Sequence, residues 1–279
     1  MCGIAGIITK NNTTVDLAEL KIMTNLVEHR GPDGEGHFID VNVGLGHRRL
    51  AIIDLSKSGH QPMQIDNMAI TYNGEVYNYI EIRKELQEKG IVFNTQTDTE
   101  VILRAYAHWG PTCVHKFNGM WAFAIYDKVN NKVFCSRDRF GVKPFYYHEN
   151  EQGLFFGSEI RQLLIKLKNR KVNRQILFDY IYLGYHHHNE HTFFEGISSL
   201  DPGHNLIFDT QKGTYKIERY YELKTKKEFV QLSFEDALVL FQKTIDEAIT
   251  LRLRSDVKVG TCLSGGMDSS YIAVTGAKI

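Results

Sequence analysis

The run after Met1-Cys2, Gly3-Ile4-Ala5-Gly6-Ile7-Ile8, carries no charge. It predicts a buried strand that holds the chain start still. Asp16 stands before Leu17 and three residues ahead of Glu19, a capping-box-like start for a helix to about His29 with Leu20, Met23 and Val27 inside. Strand patterns follow at Arg49–Asp54 and Met68–Tyr72, the latter running into Asn73-Gly74. Helical patterns cover Tyr79 to Lys89, stopped by Gly90, and Thr97 to Gly110, where Thr97 and Glu100 fit a capping box. Met120–Tyr126 is apolar throughout, as a strand covered on both faces should be, and Asp127–Lys132 reads as a hairpin loop. Val133–Ser136, Phe145–Tyr147 and Leu154–Phe156 extend the strand set.

Strands in blocks with helices between them, without strict alternation, predict an α+β layered domain. The pattern changes at Tyr221–Leu232, a charged stretch with Lys224, Lys226, Lys227 and Glu228. The expected division is therefore one unit over 2–220 and another over 221–279. In the second, Ser233 caps a helix with Phe234, Leu238, Phe241, Ile245 and Ile249 at helical spacing. Val257–Leu263 reads as a short strand feeding Ser264-Gly265-Gly266-Met267-Asp268-Ser269 and a helix start from Tyr271 to Ile279. One strand and one helix cannot bury a core, and a parallel sheet needs further crossovers, so this unit is expected to be incomplete and the chain to be the N-terminal part of a longer protein.

Composition narrows the partners. Lys+Arg and Asp+Glu balance at 33 each in 279 residues, so no global field favours nucleic acid or an anionic membrane. No apolar run approaches the ~18–20 residues of a transmembrane helix, and the start lacks a signal-peptide pattern. Cys2, Cys113, Cys135 and Cys262 form no Cys-x-x-Cys pair. Free thiols in a reducing, cytoplasmic setting are expected.

Candidate chemistry centres on Cys2. Removal of Met1 would give one residue a thiol and a free α-amine, and an amine of pKa about 7.7–8.0 can take the thiol proton directly or through water. Asn73-Gly74 is either a hairpin turn or an oxyanion hole made of a side-chain amide and a backbone N–H released by glycine's conformational freedom. Arg49 is either solvated or a fork for a carboxylate. Asp98 is either a helix-start preference or a carboxylate for an ammonium. Arg30 and Asp33 read as turn chemistry with a local ion pair. Gly44–Arg49 fails as a dinucleotide fingerprint, since Arg49 stands where the third glycine belongs. His186, His187, His188 and His191 read as a polar loop, because consecutive histidines cannot share one ion on a regular element. The Ser264–Ser269 loop has the makings of a phosphate cradle but is no Walker A loop.

Six stretches stand together in one order: Met1-Cys2-Gly3-Ile4, His29-Arg30-Gly31-Pro32-Asp33, Arg49–Asp54, Tyr72-Asn73-Gly74-Glu75, Thr97–Glu100 and Ser264–Ser269. With them the chain resembles the glutamine-hydrolysing asparagine synthetases over essentially its whole length. The front part is similar to class II glutamine amidotransferases, which are N-terminal-nucleophile hydrolases; this implies a four-layer αββα sandwich. The back part resembles the opening of an α/β ATP-pyrophosphatase-type domain. The resemblance implies that Cys2 attacks the glutamine carboxamide, that Asn73 and the Gly74 N–H hold the oxyanion, and that the freed amine passes the proton to ammonia. It puts Arg49 on the α-carboxylate, Leu50, Ile52 and Ile53 along the pocket, and Glu75 and Asp98 on the ammonium and amide. It further implies that ammonia meets aspartate activated by ATP as β-aspartyl-AMP. Ser264, Gly265, Gly266, Asp268 and Ser269 would then cradle pyrophosphate, Cys262 and Leu263 would meet adenosine, and Mg2+ would accompany ATP. Glutamine hydrolysis itself is expected to need no cofactor and no metal. The implied partners are glutamine, aspartate and ATP, with a homodimer left open. This chain alone is expected to hydrolyse glutamine without making asparagine. Two other readings stand: an amidotransferase of the same build with another carboxylate acceptor, such as a sugar uronic acid in polysaccharide biosynthesis, and a non-catalytic partner or storage domain, which a retained Met1 would favour.

Overall fold

The computed structural model describes residues 1–11, 13–225 and 227–279; Lys226 of the charged boundary stretch lies outside them. In chain order the strands are β1 (Gly3–Thr9), β2 (Gly34–Asp40), β3 (Val43–Arg49), β4 (Met63–Ile65), β5 (Met68–Val76) and β6 (Gly119–Asp127). They continue as β7 (Lys132–Arg137), β8 (Tyr146–Glu149), β9 (Gly153–Gly157), β10 (Ser198–Ser199), β11 (His204–Asp209) and β12 (Thr214–Arg219). The helices are α1 (Leu17–Asn25), α2 (Tyr79–Glu88), α3 (Asp98–Trp109), α4 (Arg174–Phe178), α5 (Lys227–Val230), α6 (Phe234–Arg252) and α7 (Met267–Gly276).

Two six-stranded antiparallel sheets result, ordered β10-β8-β9-β1-β3-β2 and β12-β11-β7-β6-β5-β4. The period of two along each strand decides what meets what. Ile4 and Ile8 of β1 join Ala122 and Ala124 of β6 and Phe156 of β9 in the layer between the sheets. Ala5 and Ile7 turn outward to Leu20 and Met23 of α1. Trp121, Phe123 and Ile125 turn outward to Ile82, Val101, Ile102 and Ala105 of α2 and α3. The fold is therefore an α+β sandwich of four layers, αββα, and both uninterrupted apolar runs, β1 and β6, are covered on two faces.

Several local expectations are corrected. Helix α1 stops at Asn25, and Glu28–Arg30 forms a separate 3-10 turn. Val27 packs onto Gly3, where a side chain would lie 2.7 Å from Val27 Cγ2, so the chain bends early onto its own start. The strand expected at Arg49–Asp54 is instead β3, which ends at Arg49. Its neighbours explain this: β1 pairs Gly3 with Arg48 and β2 pairs Gly34 with Arg49, so neither offers a partner beyond that point. Strand β5 runs straight through Asn73-Gly74, which pair with Ala122 and Trp121, so the hairpin reading fails. Strands β2, β4, β10, β11 and β12 complete the two sheets.

Helix α6 is capped as expected, Ser233 Oγ accepting from Asp236 N at 3.1 Å. Its apolar stripe is covered only toward its end: Phe234 is 77% exposed, whereas Ile249 is 7% exposed. Val257–Leu263 is not a strand; no strand of either sheet lies beside it to complete a ladder. Among the described residues no helix is long and apolar enough to cross a membrane.

Candidate active site

Cys2 precedes β1 and lies beside the end of β3. Its Sγ sits 3.3 Å from Leu50 N and 3.5 Å from Leu50 O. The Leu50 N–H is a donor to the sulfur, which favours a thiolate, while burial pushes the thiol's pKa up. Cys2, Arg49, Leu50, Ile52, Ile53, Asn73, Gly74, Glu75 and Asp98 all line one cavity of about 190 Å³. These are all the residues that the sequence nominated for the glutamine site. The cavity mouth also holds Met1, whose ammonium has a lowered pKa because of its burial, with Arg30 and Lys143 adding to the effect.

Strand β5 supplies the electrophilic side. Asn73 shares the inward face of β5 with Ala69, yet Asn73 Nδ2 is buried with no hydrogen-bond partner. An orphaned buried donor is costly and calls for an explanation. The Gly74 N–H follows from the ladder. Trp121 N and O both bond Asp138, on the β7 side of β6, so Ala122 turns its peptide groups to Asn73. By alternation the N–H groups of Tyr72, Gly74 and Val76 point away from β6. Two of them are taken: Tyr72 N donates to Gln61 Oε1 at 2.7 Å and Val76 N to Asp98 Oδ2 at 3.1 Å. Gly74 lies between them. Its φ is not positive; glycine is needed because a Cβ would lie 2.2 Å from Met120 O and 2.7 Å from Trp121 Cα. Close approach of strands, and not conformational freedom, is the reason for this residue.

The polar end is acidic. Asp98 opens α3, but its side chain turns back to β5 and also takes the Tyr72 hydroxyl at 2.9 Å. Burial pushes its carboxyl up to about 6, against the donors from Val76 and Tyr72. Burial and then Asp98 raise the pKa of Glu75. A ligand ammonium between them would restore both to the charged form. Thr97 Oγ1 caps α3 by accepting Glu100 N at 3.1 Å, but the Glu100 carboxylate reaches past the cap to Asn94 N and Thr95 N, so the capping box is half formed.

At the other end Arg49 is already engaged: Nη1 donates to Ser56 O at 2.8 Å and Nη2 to Asp54 O. Residues that the sequence left aside also converge here. Arg30 and Asp33 do not pair with each other. Arg30 Nε donates to Cys2 O at 2.9 Å and Asp33 Oδ2 accepts Ala51 N at 2.9 Å, so both position the site's walls. Lys143 is 5% exposed and lines the cavity, aimed by a loop in which Asp138 accepts the N–H groups of Phe140, Val142 and Lys143. Its context, Asp138-Arg139-Phe140-Gly141-Val142-Lys143, was the signal available.

The Gly-rich loop lies elsewhere and is exposed. Gly265 has φ +81°, Gly266 caps α7, and the hydroxyls of Ser264 and Ser269 face each other at 3.0 Å. Cys262, Leu263 and Asp268 are exposed beside it. His186–His191 lie on a loop, where His188 Nε2 meets Asp179 Oδ2 at 3.0 Å.

The family model described as glutamine amidotransferase domain matches residues 1–221, and that described as asparagine synthase matches residues 240–279. The chain is 38% identical to asparagine synthetase (glutamine-hydrolyzing) 3 of Bacillus subtilis, over 99% of this chain and 45% of that protein. It is 36% identical to asparagine synthetase (glutamine-hydrolyzing) 1 of the same organism, over 98% of this chain and 43% of that protein. The chain spans about half the length of the curated relatives it matches. The solved glutamine phosphoribosylpyrophosphate amidotransferase of B. subtilis superposes with a TM-score of 0.57 at 16% identity, over 100% of this chain and 64% of that one, a likeness of fold.

Proposed function

The chain belongs to the glutamine amidotransferase domain family, and from that premise we propose that its cavity hydrolyses glutamine through Cys2 to supply ammonia. Once Met1 is removed, the α-amine of Cys2 takes the thiol proton. Sγ attacks the carboxamide carbon, and the Asn73 Nδ2 and Gly74 N–H donors receive the carbonyl oxygen as it becomes negative. The amine returns the proton to the leaving nitrogen, ammonia departs, and water cleaves the thioester to release glutamate. Arg49 meets the α-carboxylate, while Glu75 and Asp98 meet the ammonium and amide. The observation that carries this reading is that Asn73, whose buried Nδ2 has no hydrogen-bond partner, lines the same cavity as Cys2.

The proposal extends to asparagine synthesis in the whole protein, with aspartate and ATP as the other substrates. In support, the relatives above carry that name, and the second matched stretch contains the Gly-rich loop. That loop suits a polyphosphate: a Cβ on Gly266 would lie 3.6 Å from Ser264 Oγ and 3.8 Å from Ser269 Oγ, between two hydroxyls at the start of α7. Ser264, Gly265, Gly266, Asp268 and Ser269 would hold pyrophosphate and Cys262 and Leu263 the adenosine, with Mg2+ accompanying the nucleotide to supply charge neutralisation. Residues 2–220 would form the glutaminase unit and 221–279 the start of the synthetase unit.

The test is glutamate release from glutamine by the processed chain, with Cys2→Ala as control. Release that depends on Cys2 supports the reading. Absence of release from a chain whose mass shows Met1 removed overturns it.

A further inference from the structure

We infer that Asp256 is a positioning residue for the carboxylate end of the glutamine cavity, clamping the Asp54 turn onto Arg49 so that the segment after α6 sets the substrate site. This rests on the proposal that glutamine binds there.

The geometry is a chain of hydrogen bonds that passes through the backbone of Asp54. Asp256 N donates to Ile52 O at 3.0 Å, and Asp256 Oδ2 accepts Asp54 N at 2.7 Å. The carbonyl of the same Asp54 accepts Arg49 Nη2, and Ser56 O accepts Arg49 Nη1 at 2.8 Å. Ile52 and Arg49 both line the cavity. Between them Asp54 has φ +54°, a conformation that a residue other than glycine holds only when its surroundings impose it. Its own carboxylate accepts Ser56 N at 3.1 Å, which closes the turn, and a bond from the Gln96 backbone also reaches it. The tie on the Asp54 amide comes from residue 256.

The clamp is itself anchored. Two residues earlier, Arg254 forks onto Glu81 of α2, with Nη1 to Oε2 at 2.7 Å and Nη2 to Oε1 at 2.6 Å, and Nη1 also donates to Tyr77 O at 2.7 Å. Arg252 lies over the Tyr77 ring, 5.1 Å from its centroid. The short run from α6 to the Gly-rich loop thus grips the amidotransferase sandwich at α2 and at the turn behind Arg49. A shift of that run moves the guanidinium that meets the substrate carboxylate, without touching Cys2.

The experiment compares the processed chain with Asp256→Ala and Asp256→Asn. Asn keeps an acceptor for Asp54 N–H and Ala does not. Three readouts are taken: glutamine dependence of glutamate release, alkylation of Cys2 by iodoacetamide, and hydrogen exchange of the Asp54 amide. For Asp256→Ala, KM for glutamine should rise about fivefold with kcat within twofold, Cys2 alkylation should be unchanged, and Asp54 should exchange faster. Asp256→Asn should restore KM and protection. Unchanged KM in Asp256→Ala, a loss confined to kcat, or an equal loss in both variants would overturn the inference. If the unsubstituted chain releases no glutamate, the proposed function fails on its own. The clamp is then decided by Asp54 exchange: faster in Asp256→Ala alone sustains it, and equal rates reject it.

Discussion

Asn73→Leu separates activity from stability in opposite directions. The substitution keeps a branched side chain of similar volume and removes both polar atoms from a residue that is 1% exposed. In the free chain Asn73 Nδ2 has no partner. Leaving such a buried donor unpaired costs about 1–3 kcal/mol, so the leucine variant should unfold at an equal or higher urea midpoint. In the proposed reaction the same atom receives the developing oxyanion. Loss of one such donor costs about 2.7–4 kcal/mol, or roughly a 10²–10³-fold fall in kcat, with KM for glutamine little changed. Urea unfolding followed by far-UV circular dichroism, together with glutamate release at varied glutamine, checks both halves. The reasoning is refuted if stability falls in step with activity, because Asn73 would then be a structural bond, or if kcat stays within threefold.

Other expectations are simpler. An N-terminal extension that blocks removal of Met1 should abolish glutamate release while Cys2 still reacts with iodoacetamide, read by mass spectrometry. Gly74→Ala puts a methyl 2.2 Å from Met120 O, and such overpacking costs about 1–3 kcal/mol, so thermal melting should drop along with kcat. Asp98, pushed up to about 6, is charged above that pH and neutral below it, so kcat/KM for glutamine should fall about tenfold per unit below pH 6, a limb that Asp98→Asn should lack. The same shift has a sign for stability. The folded state holds this proton more tightly than an unfolded Asp of about 3.9, so its contribution is present below pH 4 and lost as pH rises through 6. Urea midpoints measured from pH 4 to pH 7 should show that decline in the parent and not in Asp98→Asn.

The layers were legible because β1 and β6 are so apolar that only a strand with two covered faces accommodates them. The residues that line the Cys2 cavity were nominated through short motifs: a thiol at the chain start, an Asn before a Gly, a carboxylate at a helix start. What the linear pattern hid was pairing. Nothing local says that β3 must stop at Arg49; that depends on where Gly3 and Gly34 begin. The Asn-Gly pair carries a turn signature, yet β6 supplies partners for both residues and overrides it. Lys143 and Gln61 escaped notice because only the folded chain brings them to the cavity that they line.

The site lies where one sheet edge is left open. Strand β4 covers β5 only as far as Ile70. Beyond it the outer edge of β5 would offer a row of free donors, and an open edge invites unwanted pairing. Here two of the three exposed N–H positions are closed by side chains, Gln61 on Tyr72 and Asp98 on Val76. The third, at Gly74, faces the cavity. The same Asp98 thus blocks the edge, orders Tyr72 and supplies the negative end of the pocket. Because the ladder fixes the backbone of Asn73 and Gly74 before any ligand arrives, the proposed oxyanion site needs little reorganisation, which is what makes oriented dipoles effective in a desolvated cavity. The cost of that readiness is an unpaired amide at Asn73, and it stays local because the Tyr72 and Val76 N–H groups on either side of Gly74 are satisfied.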